Sequence, residues 1–146
     1  MRWIGVVLAG VLIAPGVAAQ RHEVLQVPGT VAGLPFSPAV RVGNIIYLSG
    51  QLGNVIGTRN LVPGGITAET RQTFANIRTV LEAAGSSLDR VFKCTVFLAD
   101  IQDYAAMNEV YAGVFPGAPP ARSTIAGSGL ALGARVEIEC MATAGS

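Results

Sequence analysis

Three ionisable side chains near the end of the chain have the types and spacing needed for acid–base chemistry on a small anion. Arg122 lies in the run 121–125, which is built like a buried strand, and an unpaired guanidinium is costly to bury. Glu137 and Glu139 stand two residues apart in an alternating run, so they share one face of a strand. A guanidinium can hold a carboxylate through two parallel hydrogen bonds, and a nearby glutamate can orient or deprotonate a water. Together these residues suit hydrolysis of a small acid.

Each of these residues also has an ordinary structural interpretation. Arg122 could extend to water or pair with a structural carboxylate. Glu137 and Glu139 could form a solvated face or neutralise a neighbouring arginine. Without a partner this interpretation is favoured, because structural ion pairs outnumber catalytic ones. A link of roughly a dozen residues between the two runs allows them to lie near one another.

Short apolar or alternating runs predict the strands that must position these side chains. They cover residues 23–27, 39–42, 45–48, 90–100, 121–126 and 135–143. Gly43 and Asn44 separate the second and third runs, which predicts a two-residue hairpin because glycine accepts the positive φ of the turn.

Helical spacing of apolar residues predicts two helices between these strands. In the first, Thr67 is the predicted cap and Gly85 the stop. In the second, Asp103 is the predicted cap and Pro116 ends the helix. Its predicted apolar stripe consists of Tyr104, Met107, Val110, Tyr111 and Val114. The order β-β-β-α-β-α-β-β predicts an α+β fold, with one sheet covered on one face by two helices.

The N-terminal residues 1–19 predict a cleaved secretory signal peptide. A basic start is followed by the apolar run 3–14, and Val17 and Ala19 supply the small residues before a cut. The run is shorter than the ~20 residues that a spanning helix needs. The alternatives are an uncleaved anchor and a misassigned start. We expect a single mature domain, residues 20–146, that is secreted or periplasmic and has no stable membrane association.

The charge content of the chain bears on its partners. The 146 residues include ten Lys and Arg against nine Asp and Glu, a near-neutral balance that argues against nucleic acid as a partner. Charged residues make up only 13% of the chain, about half the usual share. We infer that some of its surface is hidden in an oligomer.

The cysteines and the histidine give no sign of a reactive centre. An exported protein could join Cys94 and Cys140 in a disulfide, but both lie in apolar strand-like runs, so two buried thiols are favoured. His22, the single histidine, lies near the N-terminus, far in sequence from either cysteine. A Cys–His nucleophile pair and a zinc site are therefore not expected, and no metal is predicted.

Three stretches of the chain together resemble the RidA family, also called the YjgF or UK114 family. They are "GNIIYLSGQ", "AAGSSLDRVFKCTVFLADIQDYAAMNEVY" and "PPARSTIAGSGLALGARVEIE". The resemblance covers nearly all of residues 23–144, and the last stretch resembles the family signature. It implies a chorismate-mutase-like α+β fold and a homotrimer with sites in the clefts between subunits. The implied activity is hydrolysis of reactive 2-imino acids to 2-oxo acids and ammonia, without a cofactor.

The resemblance also implies roles for particular residues. Arg122 matches the carboxylate-binding arginine of the family, and Glu137 matches the glutamate that handles the water. Ser49 and Gly50 match a Ser-Gly pair in the wall of the pocket. Asn108 matches an asparagine on the second helix.

Two candidate substrate-binding positions depart from the family pattern. Deaminases of the family often carry tyrosine where this chain has Phe36, and cysteine where it has Thr124. Phe36 keeps the ring but lacks a hydroxyl that could hold substrate or water, whereas a main-chain group at Thr124 could still contact ligand. The loss at Phe36 keeps a second hypothesis open, a non-catalytic module that binds or senses small carboxylates in the same clefts. The endoribonuclease activity ascribed to some members has little support in a neutral chain.

Overall fold

The computed structural model describes residues 21–145 of the chain, which contain seven strands and two α-helices. The strands are β1 (Glu23–Leu25), β2 (Ala39–Val42), β3 (Ile45–Leu48), β4 (Gln51–Leu52), β5 (Val91–Leu98), β6 (Ala121–Ala126) and β7 (Val136–Thr143). The helices are α1 (Gly65–Ala83) and α2 (Tyr104–Val114). The predicted order is confirmed, and the two-residue strand β4 is added to it. The predicted signal peptide lies outside the described residues.

The β2–β3 hairpin forms where the sequence predicts it. Val42 pairs directly with Ile45, which leaves Gly43 and Asn44 as the two turn residues. Gly43 has a φ of 59°, a conformation that glycine adopts without a steric penalty. The turn therefore fixes the register of the strand that leads to Ser49.

All strands join one sheet, in the order β1-β2-β3-β7-β5-β6, with β4 pairing with β7 beyond the end of β3. The pairs are antiparallel except β5 with β6, which are parallel and joined through α2. Strand β6 is an edge strand, and Ala121, Ser123 and Ile125 are exposed. The expectation of a buried strand is therefore wrong for the single chain, because β6 has a neighbour on one side only.

Both helices pack on the same face of the sheet, which we call the helix face. Strands β5 and β7 turn Cys94, Val96, Leu98, Val136 and Ile138 toward it, and each of these is almost fully buried. The other face, here the open face, carries Tyr47, Thr95, Phe97, Ile125, Glu137 and Glu139. Tyr47 and Ile125 are 38% and 57% exposed there. This confirms the predicted α+β architecture, with one covered and one uncovered face.

The first helix differs from the sequence expectation at its start and agrees with it at its end. It begins at Gly65 after Gly64, and Thr67 lies inside the helix, so the predicted Thr67 cap is wrong. Its end is as predicted: Gly85 has a φ of 71°, and the Ser86 N–H donates to Leu81 O. This pattern of bonds closes a helix through a left-handed glycine.

The start of the second helix also corrects an expectation. The Asp100 carboxylate accepts the Gln102 N–H at 2.9 Å and caps the short 3-10 turn that leads into α2. Asp103, the predicted cap, is buried and instead takes two hydrogen bonds from Arg135, at 2.6 and 2.8 Å. The pair fixes the start of α2 against the start of β7.

Cys94 and Cys140 form a disulfide, so the expectation of two buried thiols is wrong. The two residues are direct partners across the antiparallel pair β5 and β7, with a Cα–Cα distance of 4.1 Å. The apolar runs indicated burial correctly but contained no information on register, and register brings the two sulfurs together.

Candidate active site

Arg122 lies on β6 with its guanidinium against the aromatic side chains of α2. Its Cζ is 4.5 Å from the centroid of the Tyr111 ring and 5.7 Å from that of Tyr104. One nitrogen donates to the Tyr104 hydroxyl at 3.2 Å, and another contacts Met107 Sδ at 3.9 Å. Cation–π attraction within about 6 Å stabilises such a cation by roughly 0.5–2 kcal/mol. The rings therefore hold the guanidinium in one orientation.

Strand register and helix spacing together produce this arrangement. Arg122 is the register partner of Cys94 and so points to the helix face. Tyr104, Met107 and Tyr111 are three, four and seven residues apart, which places them on one face of α2. The sequence prediction assigned all three to an apolar stripe. Their spacing and two hydroxyls were a signal of a polar role that the periodicity argument did not use.

Asn108 is connected to Arg122 through Tyr104. A hydrogen bond with Asn108, and then the charge of Arg122, lower the pKa of the Tyr104 phenol. Burial raises the pKa of Tyr111, and the Arg122 charge partly offsets that effect. The charge of Arg122 therefore acts on both rings.

The guanidinium retains free hydrogen-bonding capacity. Arginine has five N–H donors, and Tyr104 and Met107 take only two of them. Among residues 21–145 the single salt bridge joins Arg135 to Asp103, so no described carboxylate neutralises Arg122. Of the interpretations left open by the sequence, pairing with a structural carboxylate is excluded for the described chain.

Thr124 follows Arg122 by two residues and therefore faces the same side of β6. Its register partner is Val96, which is fully buried on the helix face. Within the described part of the chain, its Oγ1 is buried and makes no hydrogen bond. A buried hydroxyl without a partner is uncommon in proteins and costs free energy.

Glu137 lies on β7 and points to the open face. Its carboxyl packs against Gly50, where a β-carbon would overlap Glu137 Oε1. Burial, and then the nearby charge of Glu139, raise the pKa of Glu137. A carboxyl whose pKa is raised is a better proton acceptor near neutral pH than an ordinary glutamate. Only glycine at position 50 leaves room for the carboxyl in this place.

Ser49 directly precedes Gly50 and is bonded to the segment that carries Phe36. The Ser49 N–H donates to Pro38 O at 3.0 Å, and its hydroxyl donates to Ser37 O at 2.6 Å. These bonds attach the segment that carries Phe36 to the end of β3. The Phe36 ring is 57% exposed. The structure thus joins Ser49 to the segment that carries Phe36 and places the neighbouring Gly50 against Glu137.

The candidate residues of β6 and β7 therefore lie on opposite faces of the sheet. Arg122, Thr124 and Asn108 belong to the helix face, whereas Glu137 belongs to the open face with its register partner Phe97. The pleat of a strand turns successive side chains to opposite sides, so no rotation of a side chain brings Arg122 and Glu137 together within one sheet. These two groups of one chain are called half-sites below.

The described residues offer no metal centre. Within 21–145 no group of three or more His, Cys, Asp or Glu side chains is arranged to hold a metal ion. In the same part of the chain, no helix has both the length and the apolar character needed to cross a membrane.

Comparison with known proteins decides the family. The family model described as Endoribonuclease L-PSP matches residues 28–144. The chain belongs to this family. It is the RidA (YjgF/UK114) family that the sequence stretches resemble, so that prediction is confirmed.

RidA-family relatives agree with this chain over most of their length. The 2-iminobutanoate/2-iminopropanoate deaminase of Capra hircus is 46% identical over 111 residues, which cover 76% of this chain and 81% of the goat protein. The crystal structure of YEO7_yeast has a TM-score of 0.80 and 40% identity, over 86% of this chain and 100% of that one. RidA from the Antarctic bacterium Psychrobacter sp. has a TM-score of 0.77 and 38% identity, over 83% and 98%. The fold and the family thus agree.

Proposed function

We propose that the protein is a hydrolytic deaminase of small reactive 2-imino acids, of the 2-iminobutanoate and 2-iminopropanoate type. Relatives that carry this activity in their names, from goat, mouse and cattle, are 43–46% identical to it. The observation that carries the proposal is the guanidinium of Arg122, which rings hold in place and no described carboxylate neutralises.

Arg122 binds the substrate carboxylate in this proposal. The free N–H donors form a bidentate pair with the two carboxylate oxygens, and the rings of Tyr104 and Tyr111 fix the plane of the guanidinium. The carboxylate is adjacent to the C=N carbon. Clamping it therefore fixes the position of the carbon that water attacks.

Glu137 acts as the proton-transfer group for the attacking water in this proposal. It accepts one proton as the water oxygen bonds to the C=N carbon and passes it to nitrogen, which forms an amino alcohol. It then carries the remaining hydroxyl proton to nitrogen as the C=O bond forms and the C–N bond breaks. The water oxygen becomes the oxygen of the new C=O group, and nitrogen leaves as ammonia. No oxidant, reductant or cofactor enters this balance.

The complete site lies between two copies of the chain in this proposal. One copy supplies Arg122, Thr124 and Asn108, and its neighbour supplies Glu137, Gly50 and Phe36. The placement of the two half-sites on opposite faces supports this arrangement, as does the open face with its exposed Tyr47 and Ile125. A closed homotrimer with three such clefts is the assembly we expect.

Imine hydrolysis by the purified protein tests the activity. An amino-acid oxidase generates 2-iminobutanoate, and formation of 2-oxobutanoate is followed with and without the protein. We expect acceleration that falls at least ~100-fold in Arg122→Ala, because hydrogen bonds to a charged group are lost. Arg78→Ala, on the exposed side of α1, is the matched control and should act as wild type.

The alternative function is a binding module without turnover, and the missing hydroxyl at Phe36 is the observation that favours it. Stabilisation by 2-oxobutanoate, lost in Arg122→Ala and without acceleration of imine hydrolysis, would establish it. Absence of both effects would exclude both functions.

We also propose export of the protein, with residues 1–19 acting as a signal peptide that is removed after Ala19. The Cys94–Cys140 disulfide supports export, because oxidising compartments preserve such bonds. N-terminal sequencing of protein recovered from the periplasm or the medium tests it. A first residue other than Gln20 would contradict the cleavage site, and recovery from the cytoplasm alone would contradict export.

A further inference from the structure

Arg135 and Asp103 join the two parts of the chain that carry the half-sites. Asp103 directly precedes Tyr104, the first residue of α2. Arg135 directly precedes β7, in which Glu137 is the second residue. The Nε and Nη2 atoms of Arg135 donate to the two carboxylate oxygens of Asp103, at 2.8 and 2.6 Å. Such a bidentate pair fixes the relative orientation of two groups as well as their distance.

Glu69 of α1 attaches the same arginine to the strands around Glu137. It is 5% exposed, and its Oε2 accepts the main-chain N–H of Arg135 at 2.8 Å. Gly53 follows β4 and packs so closely on Glu69 that an added β-carbon would lie 2.6 Å from Glu69 Cα. Leu52 of β4 is in turn the register partner of Glu137. Glu69 thus holds β4 and β7 together where they pair through Glu137.

The other end of this connection reaches Arg122 through Tyr104. The Tyr104 ring is 41% exposed, so packing alone does not fix it. Its hydroxyl accepts from Arg122 at 3.2 Å, and it forms a hydrogen bond with Asn108. The first contact depends on where α2 begins, and Asp103 holds that beginning against β7. A change in the ion pair would therefore displace a group that supports the Arg122 guanidinium.

The surroundings of Arg135 suit a role in orientation more than one in stability. Its side chain is 48% exposed, and an ion pair with an exposed partner adds little to stability. Hydrogen bonding to Asp103, and then the Asp103 charge, raise the pKa of Arg135, and the Glu69 charge adds to them. One arginine thus contacts carboxylates from two different elements.

We propose that Arg135 is a positioning residue of the deaminase, acting through Tyr104 on one half-site and through β7 on the other. With Asp103 and Glu69 it holds the start of α2 at a fixed position relative to Glu137. In an assembly whose sites lie between copies, this relation within each chain sets the geometry of the clefts on both of its sides. The inference rests on the proposed function and adds to it a residue outside both half-sites.

Arg135→Lys tests the positioning role. Lysine keeps a positive charge beside Asp103 and Glu69, so the fold should remain, but an ammonium cannot form the bidentate pair. We expect kcat/KM for 2-iminobutanoate to fall at least ~10-fold, with a higher KM and a lower kcat, because small displacements of reacting groups are costly. Asp103→Asn breaks the pair from the other side with little change in shape, and should give a loss in the same direction. Wild-type kinetics in either variant would overturn the proposal.

Arg90→Lys is the matched control, because Arg90 lies at the opposite end of β7. Its Nη1 donates to Ala144 O at 3.1 Å, one residue beyond the strand. Both replacements remove a guanidinium contact at an end of the same strand, so both should lower the melting temperature slightly. Arg90→Lys should leave kcat and KM within about twofold of wild type. Equal kinetic losses in the two variants would assign Arg135 a purely structural role.

A binding measurement separates this inference from the proposed function. If wild type hydrolyses no imine, the deaminase function fails, but 2-oxobutanoate bound at Arg122 should still raise the melting temperature. Arg135→Lys should then reduce that rise, and Arg90→Lys should not. An equal rise in all three proteins would contradict the positioning role.

Ionisation of the Tyr104 phenol gives a readout that needs neither substrate nor ligand. A hydrogen bond with Asn108, and then the Arg122 charge, lower its pKa. If Arg135 holds Tyr104 in place, Arg135→Lys should raise this pKa toward the usual tyrosine value, whereas Arg90→Lys should leave it unchanged. The Tyr104 signal is the difference in phenolate absorbance between each protein and the same protein with Tyr104→Phe. A titration that is the same in wild type and Arg135→Lys would overturn the proposal.

Discussion

Arg122 and Glu137 lie on strands separated only by β5, yet their surroundings differ in nearly every respect. Arg122 lies on an edge strand, among the tyrosine rings and sulfur of α2, on the face that the helices cover. Glu137 lies on an inner strand, beside Gly50 and Glu139, on the face that the helices leave open.

The difference in surroundings is consistent with the separate roles proposed for Arg122 and Glu137. The rings stabilise a cation without neutralising it, because they supply no formal negative charge. The surroundings of Glu137 disfavour its anion, through burial first and a like charge second. In the proposed reaction, a substrate with a carboxylate at one end and a C=N group at the other binds between this cation and this carboxyl.

The largest expected effect comes from removing either half-site and then combining the two variants. Glu137→Gln should lower kcat by about 10²–10⁴-fold, the contribution of a positioned acid–base group. If the site lies between chains, mixing Glu137→Gln with Arg122→Ala should restore about a quarter of wild-type activity, since random assembly pairs the intact halves at that frequency. The mixture is unfolded and refolded together before assay.

A mixture as inactive as its components would contradict the arrangement between chains. The control is each variant alone, unfolded and refolded in the same way.

The disulfide should have the next largest effect, because it joins the strand beside Arg122 to the strand that carries Glu137. Its sequence separation is 46 residues, and closing a loop of that size stabilises a protein by roughly 2–4 kcal/mol. Reduction should lower the free energy of unfolding by that amount in a denaturant titration. The double variant Cys94→Ala/Cys140→Ala should lose stability and no longer respond to reductant. If the unfolding transition of wild type does not change after complete reduction, the disulfide does not stabilise the pairing of these strands.

Gly50→Ala should have a smaller effect, directed at Glu137 alone. The added β-carbon displaces the carboxyl, and a misplacement of about 1 Å can lower a rate by up to about 100-fold. We expect a 10- to 100-fold loss in kcat with stabilisation by 2-oxobutanoate retained. Gly113→Ala is the control, because a β-carbon there meets open space. Wild-type kcat in Gly50→Ala would show that the Glu137 position is not critical.

Glu139→Gln should have the smallest effect, visible as a change with pH. Removing the like charge lowers the pKa of Glu137, so the acid limb of the kcat/KM profile should move to lower pH. Stability should also depend on pH. Because the folded pKa of Glu137 is raised, its contribution to stability is present at pH values below the usual glutamate range and is lost as pH rises through the folded pKa. Glu139→Gln should lose less stability than wild type over that rise in pH. An unmoved acid limb, with wild-type stability at every pH, would exclude coupling between the two carboxyls.

Much of the local structure follows from the sequence. The Gly43-Asn44 turn and the Gly85 helix end appear where they were predicted, because each depends on a backbone conformation that glycine adopts without a steric penalty. Helix caps were predicted less well. Thr67 and Asp103 have suitable side chains, but the first lies inside α1 and the second pairs with Arg135, a residue 32 positions away.

The sequence determined the chemical types in the site, which are an arginine, a glutamate and a glycine. Their relation was decided only by the tertiary structure. Register places Cys140 opposite Cys94 and Arg122 beside it, and the pleat then sends Glu137 to the other face. Alternation along one strand fixes which side chains share a face, but only pairing between distant strands decides which face each site residue shares with the helices. For that reason the sequence indicated an arginine and a glutamate near one another, whereas the fold separates them within a chain.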